Sequence, residues 1–515
     1  MKTGLLFTFL LGGVLSSAAL AAPAAIDIGS RRELFVDDFL IERLAGKAEL
    51  RLHHPQPQEL VMVLDEPWEG TGSGGYYTVF RDGDIYRMFY KGWNIAFDTK
   101  TKKHQSSPSA MCYAESDDGI RWRKPTLGLV EFKGSKENNI VLADGLIAGM
   151  RIVAGVSALV KDDNPDAAPD ARYKAFTLSA KPKGLLPLKS ADGLTWSPMA
   201  DKPVITNGAF DNQNVAFWSP AEKAYRIYWR VFAHGDNNTA TANPIGVRSI
   251  RTATSKDFVN WDEGADLTYV DSPEEALYHT PLRPYERAPH IILGFPARYI
   301  ERDEPASDDL PEPEHRQLRK SVNKRYGTAL TEALLMASRD GVRFKRWNEA
   351  FLRPGIERPG TWNYGHQFLA WQPIETKSLT PGAPNELSLY ATESYWTGNS
   401  SEVRRYTLRL DGFVSVQAPM KGGELLTKPL TFSGKELSLN FSTSAAGDIR
   451  VEIQDADGRP LPGFTLEECH TIFGDTLARS ISWKGSRDVS ALAGRPVRLR
   501  VVLRDADLYS FRFQP

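Results

Sequence analysis

"SDDGIRW", at residues 116–122, combines a serine, an Asp-Gly pair and, after two more residues, an aromatic ring. It follows, after Glu115, the apolar, β-type run "AMCYA" at residues 110–114. An Asp-Gly pair between two β-type segments is typical of a tight hairpin turn. The stretch therefore predicts a turn between two strands, with an aromatic side chain placed just beyond it.

The same phrase recurs along the chain, as "SADGLTW" from Ser190, "SRDGVRF" from Ser338 and, more loosely, "SKDFVNW" from Ser255. We expect the aspartate of each copy to accept hydrogen bonds from N–H groups of the turn. We expect the aromatic ring to pack against the next repeat unit. These aspartates are therefore predicted to be structural and not catalytic.

Each copy follows a β-type segment, and a further strand pair usually precedes it. The clearest pair is "YYTVFRDGDIYRMFYKGW" at residues 76–93, which turns at residues 82–84. A fifth unit of the same kind fits residues 390–413, and helical periodicity is scarce, with one short helix expected at 311–322. Four strands repeated five times predict a five-bladed β-propeller.

The composition changes on either side of the repeats. We place the propeller, as the catalytic domain, at residues 59–415, after an N-terminal lead-in strand at 22–58. From residue 416 to residue 515, short alternating strands broken by Asp-Gly and Ser-Gly turns predict a β-sandwich. The predicted fold class is all-β: a five-bladed β-propeller followed by a C-terminal β-sandwich.

Residues 1–21 predict a secretory signal peptide, because Lys2 precedes an apolar stretch and small residues end it at Ala21. We therefore expect a secreted or periplasmic protein. No other apolar run is long enough to span a bilayer, so no membrane partner is expected. The net charge of -1, from 63 basic and 64 acidic side chains, gives no sign of a nucleic-acid partner.

Aromatic residues make up 10% of the chain, which suits β-strands and also suits stacking on sugar rings. The two cysteines, Cys112 and Cys469, are predicted to be separate buried thiols. No Cys/His cluster has the spacing of a zinc site, and no cofactor is predicted. A channel histidine such as His366 could hold a metal ion through water, but the sequence shows no set of metal ligands.

Hydrolysis of a glycosidic bond needs two carboxyl groups that face the bond. Catalytic acids are therefore expected where the innermost strand of each blade enters the central channel. Glu69 precedes the first blade, Asp211 opens the third among Asn and Gln residues, and Glu286 lies in the segment that opens the fourth. Asp211 is the predicted base or nucleophile, and Glu286 or Glu69 is the predicted acid.

Polar and aromatic side chains crowd the same blade entries and are candidates for holding a sugar. The predicted substrate-binding residues are His279, Tyr285 and Arg287 in the fourth blade and Trp362, Asn363, His366 and Glu393 in the fifth. Each cluster alone is a weak signal. Their coincidence at several blade entries indicates one ligand site at the propeller mouth.

Several motifs together resemble a known group of enzymes. "PWEG" before the first blade, "YRMFYKG" within it, the repeated turn phrase and the trailing sandwich resemble the furanosidase-type glycoside hydrolases. These are the invertase, levanase and inulinase group and its arabinanase and xylosidase relatives. "LFVDDFLIE", "RRYTLRLDGFVSV" and "DADLYSFRF" make the chain more similar to secreted, sugar-hydrolase-like proteins of planctomycete-type bacteria. The Asn-Asp-Pro, Arg-Asp-Pro and Glu-Cys motifs of the invertase group are absent, so the resemblance transfers no nucleophile.

The residues and the resemblance together predict a secreted glycoside hydrolase whose partner is a poly- or oligosaccharide. The predicted mechanism uses two carboxyl groups at the propeller mouth. Two alternatives stay open. One is a carbohydrate-binding propeller without turnover. The other is a polysaccharide lyase, in which a tyrosine or histidine removes a proton next to a uronate carboxylate that Arg287 neutralises.

Overall fold

The structure is a computed structural model that describes residues 24–237, 245–302 and 304–515. Most described residues in regular structure lie in β-strands. The first strands precede the propeller repeats; they are β1 (Ile26–Gly29), β2 (Glu33–Leu34), β3 (Ile41–Gly46), β4 (Glu49–Leu52) and β5 (Gln56–Leu64).

Blades one to three are antiparallel sheets built from consecutive stretches of chain. Blade one contains β6 (Thr78–Asp82), β7 (Ile85–Gly92), β10 (Ala110–Ser116) and β11 (Ile140–Ala143), with an inserted hairpin of β8 (Ile95–Asp98) and β9 (Lys103–Ser106). Blade two contains β12 (Gly145–Ile147), β13 (Met150–Lys161), β14 (Tyr173–Lys181), β15 (Lys183–Ser190) and β16 (Ser197–Pro198). Blade three contains β17 (Val215–Ser219), β18 (Ala224–Ala233), β19 (Val247–Ser255) and β20 (Ala265–Asp266).

Blade four carries the largest insertion. Its strands are β21 (Thr268–Val270), β22 (Leu282–Tyr285), β23 (Ala288–Gly294), β26 (Met336–Ser338) and β27 (Arg343–Arg346). The insertion contains β24 (Ala297–Glu301), α1 (Glu304–Asp308), α2 (Pro313–Val322), α3 (Lys324–Thr328) and β25 (Ala329–Ala333). The predicted short helix is confirmed as α2. None of the helices in the described part of the chain is long and apolar enough to cross a membrane.

Blade five is closed by a strand from the other end of the repeats. It contains β28 (Ile374–Thr376), β29 (Glu386–Glu393) and β30 (Ser401–Arg409), and its fourth strand is the N-terminal β5, antiparallel to β30. One apolar cluster lies between each pair of neighbouring blades. Representative pairs are Phe89 with Leu186, Phe176 with Ile227, Tyr228 with Phe344, Leu293 with Leu389 and Val79 with Tyr390. These contacts close the ring, and the predicted five-bladed propeller is confirmed.

The turn phrase has the predicted structural role. In the first copy, Asp118 Oδ1 accepts hydrogen bonds from the N–H groups of Ile120 and Arg121, both at 2.8 Å. Asp192, Asp257 and Asp340 repeat this pattern in the other copies. The aromatic ring packs against the preceding blade and not the next one, since Trp122 contacts Tyr390 of blade five edge-on at 5.6 Å.

The second domain is a β-sandwich that both ends of the described chain build. Its C-terminal strands are β31 (Val414–Ala418), β32 (Gly423–Thr427), β33 (Leu430–Phe432), β34 (Glu436–Asp455), β35 (Asp475–Ser480) and β36 (Val497–Gln514). The N-terminal β1, β2, β3 and β4 pair with β33, β36, β32 and β31, respectively. The lead-in segment is therefore part of the sandwich, and its Ile28, Phe35 and Leu40 lie in the sandwich core. Cys112, in blade one, and Cys469, in the sandwich, are both free and buried.

Candidate active site

The inner strands of the propeller begin at one end of the central channel, which we call the entry mouth (residues 74–77, 210–214, 278–281 and 365–369). Side chains from different blades meet there. The ring of Tyr76 lies 5.7 Å from the ring of His279 and stacks on Phe368 at 6.3 Å. The inner strands end at the other end of the channel, the opposite mouth (residues 81–84, 161–163, 285–287 and 375–377).

A buried polar layer closes the channel beneath the entry mouth. Gln213 Nε2 donates to Tyr77 O at 3.3 Å and to Thr78 Oγ1 at 3.2 Å, so Gln213 reaches from blade three to blade one. Gln213 Oε1 then accepts from His279 Nε2 at 3.0 Å. These contacts place the proton of His279 on Nε2, and burial lowers its pKa to about 3. His279 is thus a neutral part of this layer, and a ligand must approach from above it.

Aromatic rings form the wall of the entry mouth. Tyr278 stacks on Phe368 at 5.5 Å and meets Tyr364 edge-on at 5.6 Å. Tyr395 stacks on Trp396 at 5.5 Å. The inserted hairpin of blade one adds to this wall, because Phe97 contacts Trp396 at 5.5 Å. A wall of this kind suits the apolar faces of sugar rings.

Asp211 is an open carboxylate at this mouth. Its side chain is 60% exposed, whereas its ion-pair partner Arg230 is 2% exposed. Asp211 lies immediately before Asn212, which is fully buried. The loop that precedes β17 therefore holds the carboxylate at the rim, with the guanidinium group of Arg230 behind it. Of the four predicted acids, it is the one that the structure leaves open at the entry mouth.

Two arginines face Tyr278 across the mouth. The guanidinium carbons of Arg230 and Arg248 both lie 5.2 Å from the centre of the Tyr278 ring. Burial alone would raise the pKa of Tyr278, but the two arginine charges and a 2.5 Å hydrogen bond from Tyr364 outweigh it and lower that pKa. Tyr278 is therefore more acidic than an ordinary tyrosine.

Several buried polar atoms near the mouth have no hydrogen-bond partner in the described protein. They include both amide atoms of Asn212, Asn214 Oδ1, His279 Nδ1 and His366 Nε2. An unpaired buried polar atom is costly, so such atoms usually bind water or a ligand. Their concentration around Asp211 indicates where hydroxyl groups of a ligand would bind.

Lys91 is a functional candidate that the sequence analysis missed. It is 7% exposed, and its Nζ lies 3.7 Å from the centre of the Trp93 ring and 5.5 Å from that of Tyr76. Burial lowers its pKa to about 7, and the carboxylate of Asp144 opposes this only in part. Its one sequence signal is a single charge within the aromatic run "FYKGW".

Glu69 is buried inside blade one and does not reach the mouth. Its side chain is 0% exposed, and Oε1 accepts from the hydroxyl of Tyr90 at 2.6 Å. Oε2 accepts from Lys124 Nζ at 2.7 Å and from the N–H of Glu66 at 3.1 Å. Burial raises the pKa of Glu69 despite these contacts. Both oxygens are occupied, so this carboxyl group stabilises the blade.

The structure separates Glu286 from Asp211. Asp211 precedes the inner strand of blade three, whereas Glu286 follows the inner strand β22 of blade four, which spans about 13 Å. The strand β22 was not predicted, because Pro284 interrupts its apolar pattern and Pro281 directly precedes it. Glu286 instead faces a cavity of about 450 Å³ at the opposite mouth, and enclosure there raises its pKa.

Tyr285 and Arg287 lie with Glu286, away from the entry mouth. The hydroxyl of Tyr285 donates to Asp411 Oδ1 at 2.9 Å, and Arg287 Nε donates to the same oxygen at 2.7 Å. Asp411 also accepts from Ser510 of the sandwich at 2.9 Å. These two predicted substrate-binding residues therefore join the propeller to the sandwich.

The predicted residues of blade five surround the entry mouth without lining it. His366 Nδ1 accepts from the N–H of Trp362 at 3.0 Å, and burial lowers its pKa to about 4. Asn363 accepts from Arg316 and Arg319, which are buried on α2. Burial would raise the pKa of Glu393, but hydrogen bonds from Arg404 and Arg358 lower it. Together these contacts support the wall of the mouth from behind.

Within the described residues, no three histidine, cysteine, aspartate or glutamate side chains converge as ligands of a metal ion. Beside Asp211 and Lys91, the polar groups at the mouth are arginines, amides and tyrosines, which can bind hydroxyl groups and anions.

No protein-family model matches the sequence, and no curated protein matches it. Solved structures with which it is similar include a fructofuranosidase from Schwanniomyces occidentalis, at 11% identity and a TM-score of 0.37 over 88% of this chain and 98% of that one. A putative glycosidase from Bacteroides thetaiotaomicron is 15% identical, with a TM-score of 0.40 over 68% of this chain and 96% of that one. An endo-arabinase from the same organism is 9% identical, with a TM-score of 0.37 over 68% of this chain and 98% of that one. These neighbours belong to the glycoside hydrolases that the motifs resemble, and the similarity is one of fold.

Proposed function

We propose that the entry mouth binds a carbohydrate and cleaves one of its glycosidic bonds. The observation that carries this proposal is the open carboxylate of Asp211 at the rim of an aromatic mouth that holds unpartnered polar atoms. Aromatic rings bind the C–H faces of sugars, while amides and carboxylates bind their hydroxyl groups.

In the proposed reaction, Asp211 acts as nucleophile or as the base that activates water. The proton for the departing sugar oxygen needs a second group. Glu69 and Glu393 are buried in ion pairs and Glu286 lies at the opposite mouth, so none of them is assigned this role. Lys91, whose pKa of about 7 keeps it partly protonated at neutral pH, is the proposed donor. One carboxylate and one amine thus replace the predicted pair of carboxyl groups.

The test is product release from a panel of poly- and oligosaccharides by the wild type and by Asp211→Asn. We expect the wild type to release new reducing ends from at least one glycan and the variant to lose this activity. Glu286→Gln is the matched control, because it changes an acid at the opposite mouth. A wild type that neither binds nor cleaves any glycan in the panel contradicts the proposal. Binding without cleavage would select the alternative of a carbohydrate-binding propeller.

The lowered pKa of Tyr278 between Arg230 and Arg248 favours a second candidate function, a polysaccharide lyase. Tyr278, as the phenolate, would remove the proton next to a uronate carboxylate, and the arginines would take the neutralising role predicted for Arg287. The glycosidic C–O bond on the adjacent carbon would break as the C=C bond forms, and the departing oxygen would take the proton back from Tyr278. A lyase produces an unsaturated sugar that absorbs ultraviolet light. Tyr278→Phe should abolish that absorbance, whereas Asp211→Asn should leave it largely intact.

We also propose export of the protein, which rests on residues 1–21 and therefore on sequence outside the described residues. Cell fractionation and N-terminal sequencing test this proposal. Export with cleavage after Ala21 supports it, and a cytoplasmic chain that keeps Met1 contradicts it.

A further inference from the structure

We propose that the sugar bound at the entry mouth carries an anionic group, a carboxylate or a sulfate ester, and that Arg248 binds this group beside Arg230. This inference rests on the proposed function, since it names the substrate class of the same site.

Arg248 and Arg230 lie on the same face of blade three. In the pairing of β18 with β19, Arg248 is opposite Phe232, and Arg230 lies two residues before Phe232 on the same strand. Because side chains two residues apart in a strand point to the same face, both guanidinium groups face Tyr278 of blade four. The two cations therefore form one pair at the wall of the mouth.

Only one of these two cations is neutralised. Arg230 pairs with Asp211. Arg248 is 8% exposed, its Nε is buried without a hydrogen-bond acceptor, and no carboxylate among the described residues forms an ion pair with it. Its neighbours are the rings of Tyr299 at 4.2 Å and Tyr278 at 5.2 Å.

Aromatic rings compensate a buried cation only in part. A cation–π contact recovers less free energy than the removal of an unpaired charge from water costs. A guanidinium group is also suited to two parallel hydrogen bonds with a carboxylate or a sulfate. Arg248 thus lacks the one partner that an anionic ligand would supply.

The structure leaves room for such a ligand. Arg248 lines a cavity of about 600 Å³ together with Glu301, Lys324 and Arg325. This volume lies within the usual range of ligand pockets. Glu301, the acid that lines this cavity, accepts a hydrogen bond from the hydroxyl of Tyr299 at 2.8 Å. The ring of Tyr299 also contacts Arg248, so one tyrosine contacts both charged groups. A sugar that stacks on the mouth could place its anionic group in this cavity.

The first experiment separates anion binding from the identity of the sugar. Melting temperatures of the wild type, Arg248→Met and Arg251→Met are measured in sulfate and in acetate, against chloride at equal ionic strength. Arg251 is the matched control because it lies on the same strand but pairs with Asp266 at 2.6 Å outside the mouth. Sulfate stabilises folded proteins in general, so we expect sulfate or acetate to raise the melting temperatures of the wild type and Arg251→Met by more than that of Arg248→Met.

A purely structural Arg248 gives a different result. Loss of a structural arginine lowers the melting temperature in every salt, whereas loss of an unpaired buried charge leaves it unchanged or raises it in chloride. Arg248→Lys keeps the positive charge but lacks the planar guanidinium group. It should retain part of the rise in melting temperature that the anions cause. An equal response of the wild type and Arg248→Met to both anions would overturn the inference.

The second experiment compares glycans in matched sets: uronate oligomers, their methyl esters and sulfated oligomers of neutral sugars. We expect the wild type to bind the uronate set or the sulfated set. We expect Arg248→Met to bind that same set about 100-fold more weakly. The set whose binding depends on Arg248 shows whether the bound anionic group is a carboxylate or a sulfate ester. Cleavage of neutral glycans alone would overturn the inference and leave the proposed function standing. Anion stabilisation without cleavage of any glycan would retain the anion site and contradict the proposed function.

Discussion

At the opposite mouth of the channel, Asp82 accepts from Lys161 Nζ at 2.8 Å and from the hydroxyl of Tyr173 at 2.6 Å. Asp163 there pairs with Arg283. At the entry mouth, in contrast, neither amide atom of Asn212 has a partner in the described protein, whereas the unpartnered atoms of the opposite mouth, Arg283 Nη1 and Arg87 Nε, belong to side chains that pair with these acids. Both mouths are built from the ends of the same inner strands. The difference teaches that polar composition alone does not mark a binding site, whereas a buried side chain whose polar atoms all lack partners does.

The largest expected effect comes from exchanging one acid at each mouth. Asp211→Asn should lower kcat by about 10²–10⁴-fold, because it removes a carboxylate that acts on the substrate. Glu286→Gln, at the opposite mouth, should leave kcat within about threefold. Steady-state kinetics on a cleaved glycan measures both. An equal loss of kcat in the two variants would contradict a functional difference between the two mouths.

Lys91→Met should lower kcat by about 100-fold and change the pH profile. A proton donor must be protonated, so wild-type activity should fall as the pH rises through about 7, and the variant should lack this fall. Folding gives a second readout. Since unfolded lysine keeps its proton up to about pH 10.4, wild-type stability should rise between pH 7 and that value, and the variant should not show this rise. Lys103→Met, an exposed control, should behave like the wild type.

His279 should make the propeller sensitive to acid. Its pKa of about 3 lies below the value of about 6.5 in the unfolded chain, so the unfolded state binds more protons between these values. Stability should therefore fall as the pH falls from about 6.5 towards 3, by up to about 1.4 kcal/mol per pH unit for this group. His279→Gln should flatten the dependence measured by urea unfolding. His234→Gln, at an exposed position, should leave it unchanged.

The smallest expected effect concerns the turn phrase at the opposite mouth. Asp118→Ala removes the acceptor of two turn N–H groups and should cost about 1 kcal/mol of unfolding free energy, with kcat unchanged. Asp117→Ala removes an exposed ion pair with Arg123 and should cost less than about 0.5 kcal/mol. Denaturant unfolding measures both. A loss of activity in Asp118→Ala at unchanged stability would give the opposite mouth a function.

The fold could be predicted from the sequence because the turn phrase is local. Ser116, Asp118 and Trp122 make their defining contacts within a few residues, so four copies mark four blades. The sandwich strands of the lead-in segment were not predicted, since partners such as those of β1 and β3 lie about 400 residues away. No local pattern encodes a pairing of that length.

The site could be predicted only in part, for the same physical reason. Asp211 stands directly before an inner strand, and the structure places it at the rim as expected. The assignment of Glu286 to the same mouth depended on finding β22, which Pro284 within it and Pro281 just before it conceal. Lys91, Tyr278 and Arg248 were not recognised as one site, because their proximity depends on the angle between neighbouring blades. That angle is a property of the assembled ring and not of any one segment.

The closure of blade five by β5, and of the sandwich by β1 to β4, has a consequence for synthesis. The chain emerges N-terminus first, yet β5 finds its partner β30 only after residues 401–409 have been made. Contacts of such long sequence separation form late and slow folding. During that interval the first strands expose apolar side chains and unpaired edges, which favour aggregation. The pairing of β5 with β30 closes the ring of the finished molecule. Until residues 401–409 have been made, the same pairing is missing and the chain needs protection from aggregation.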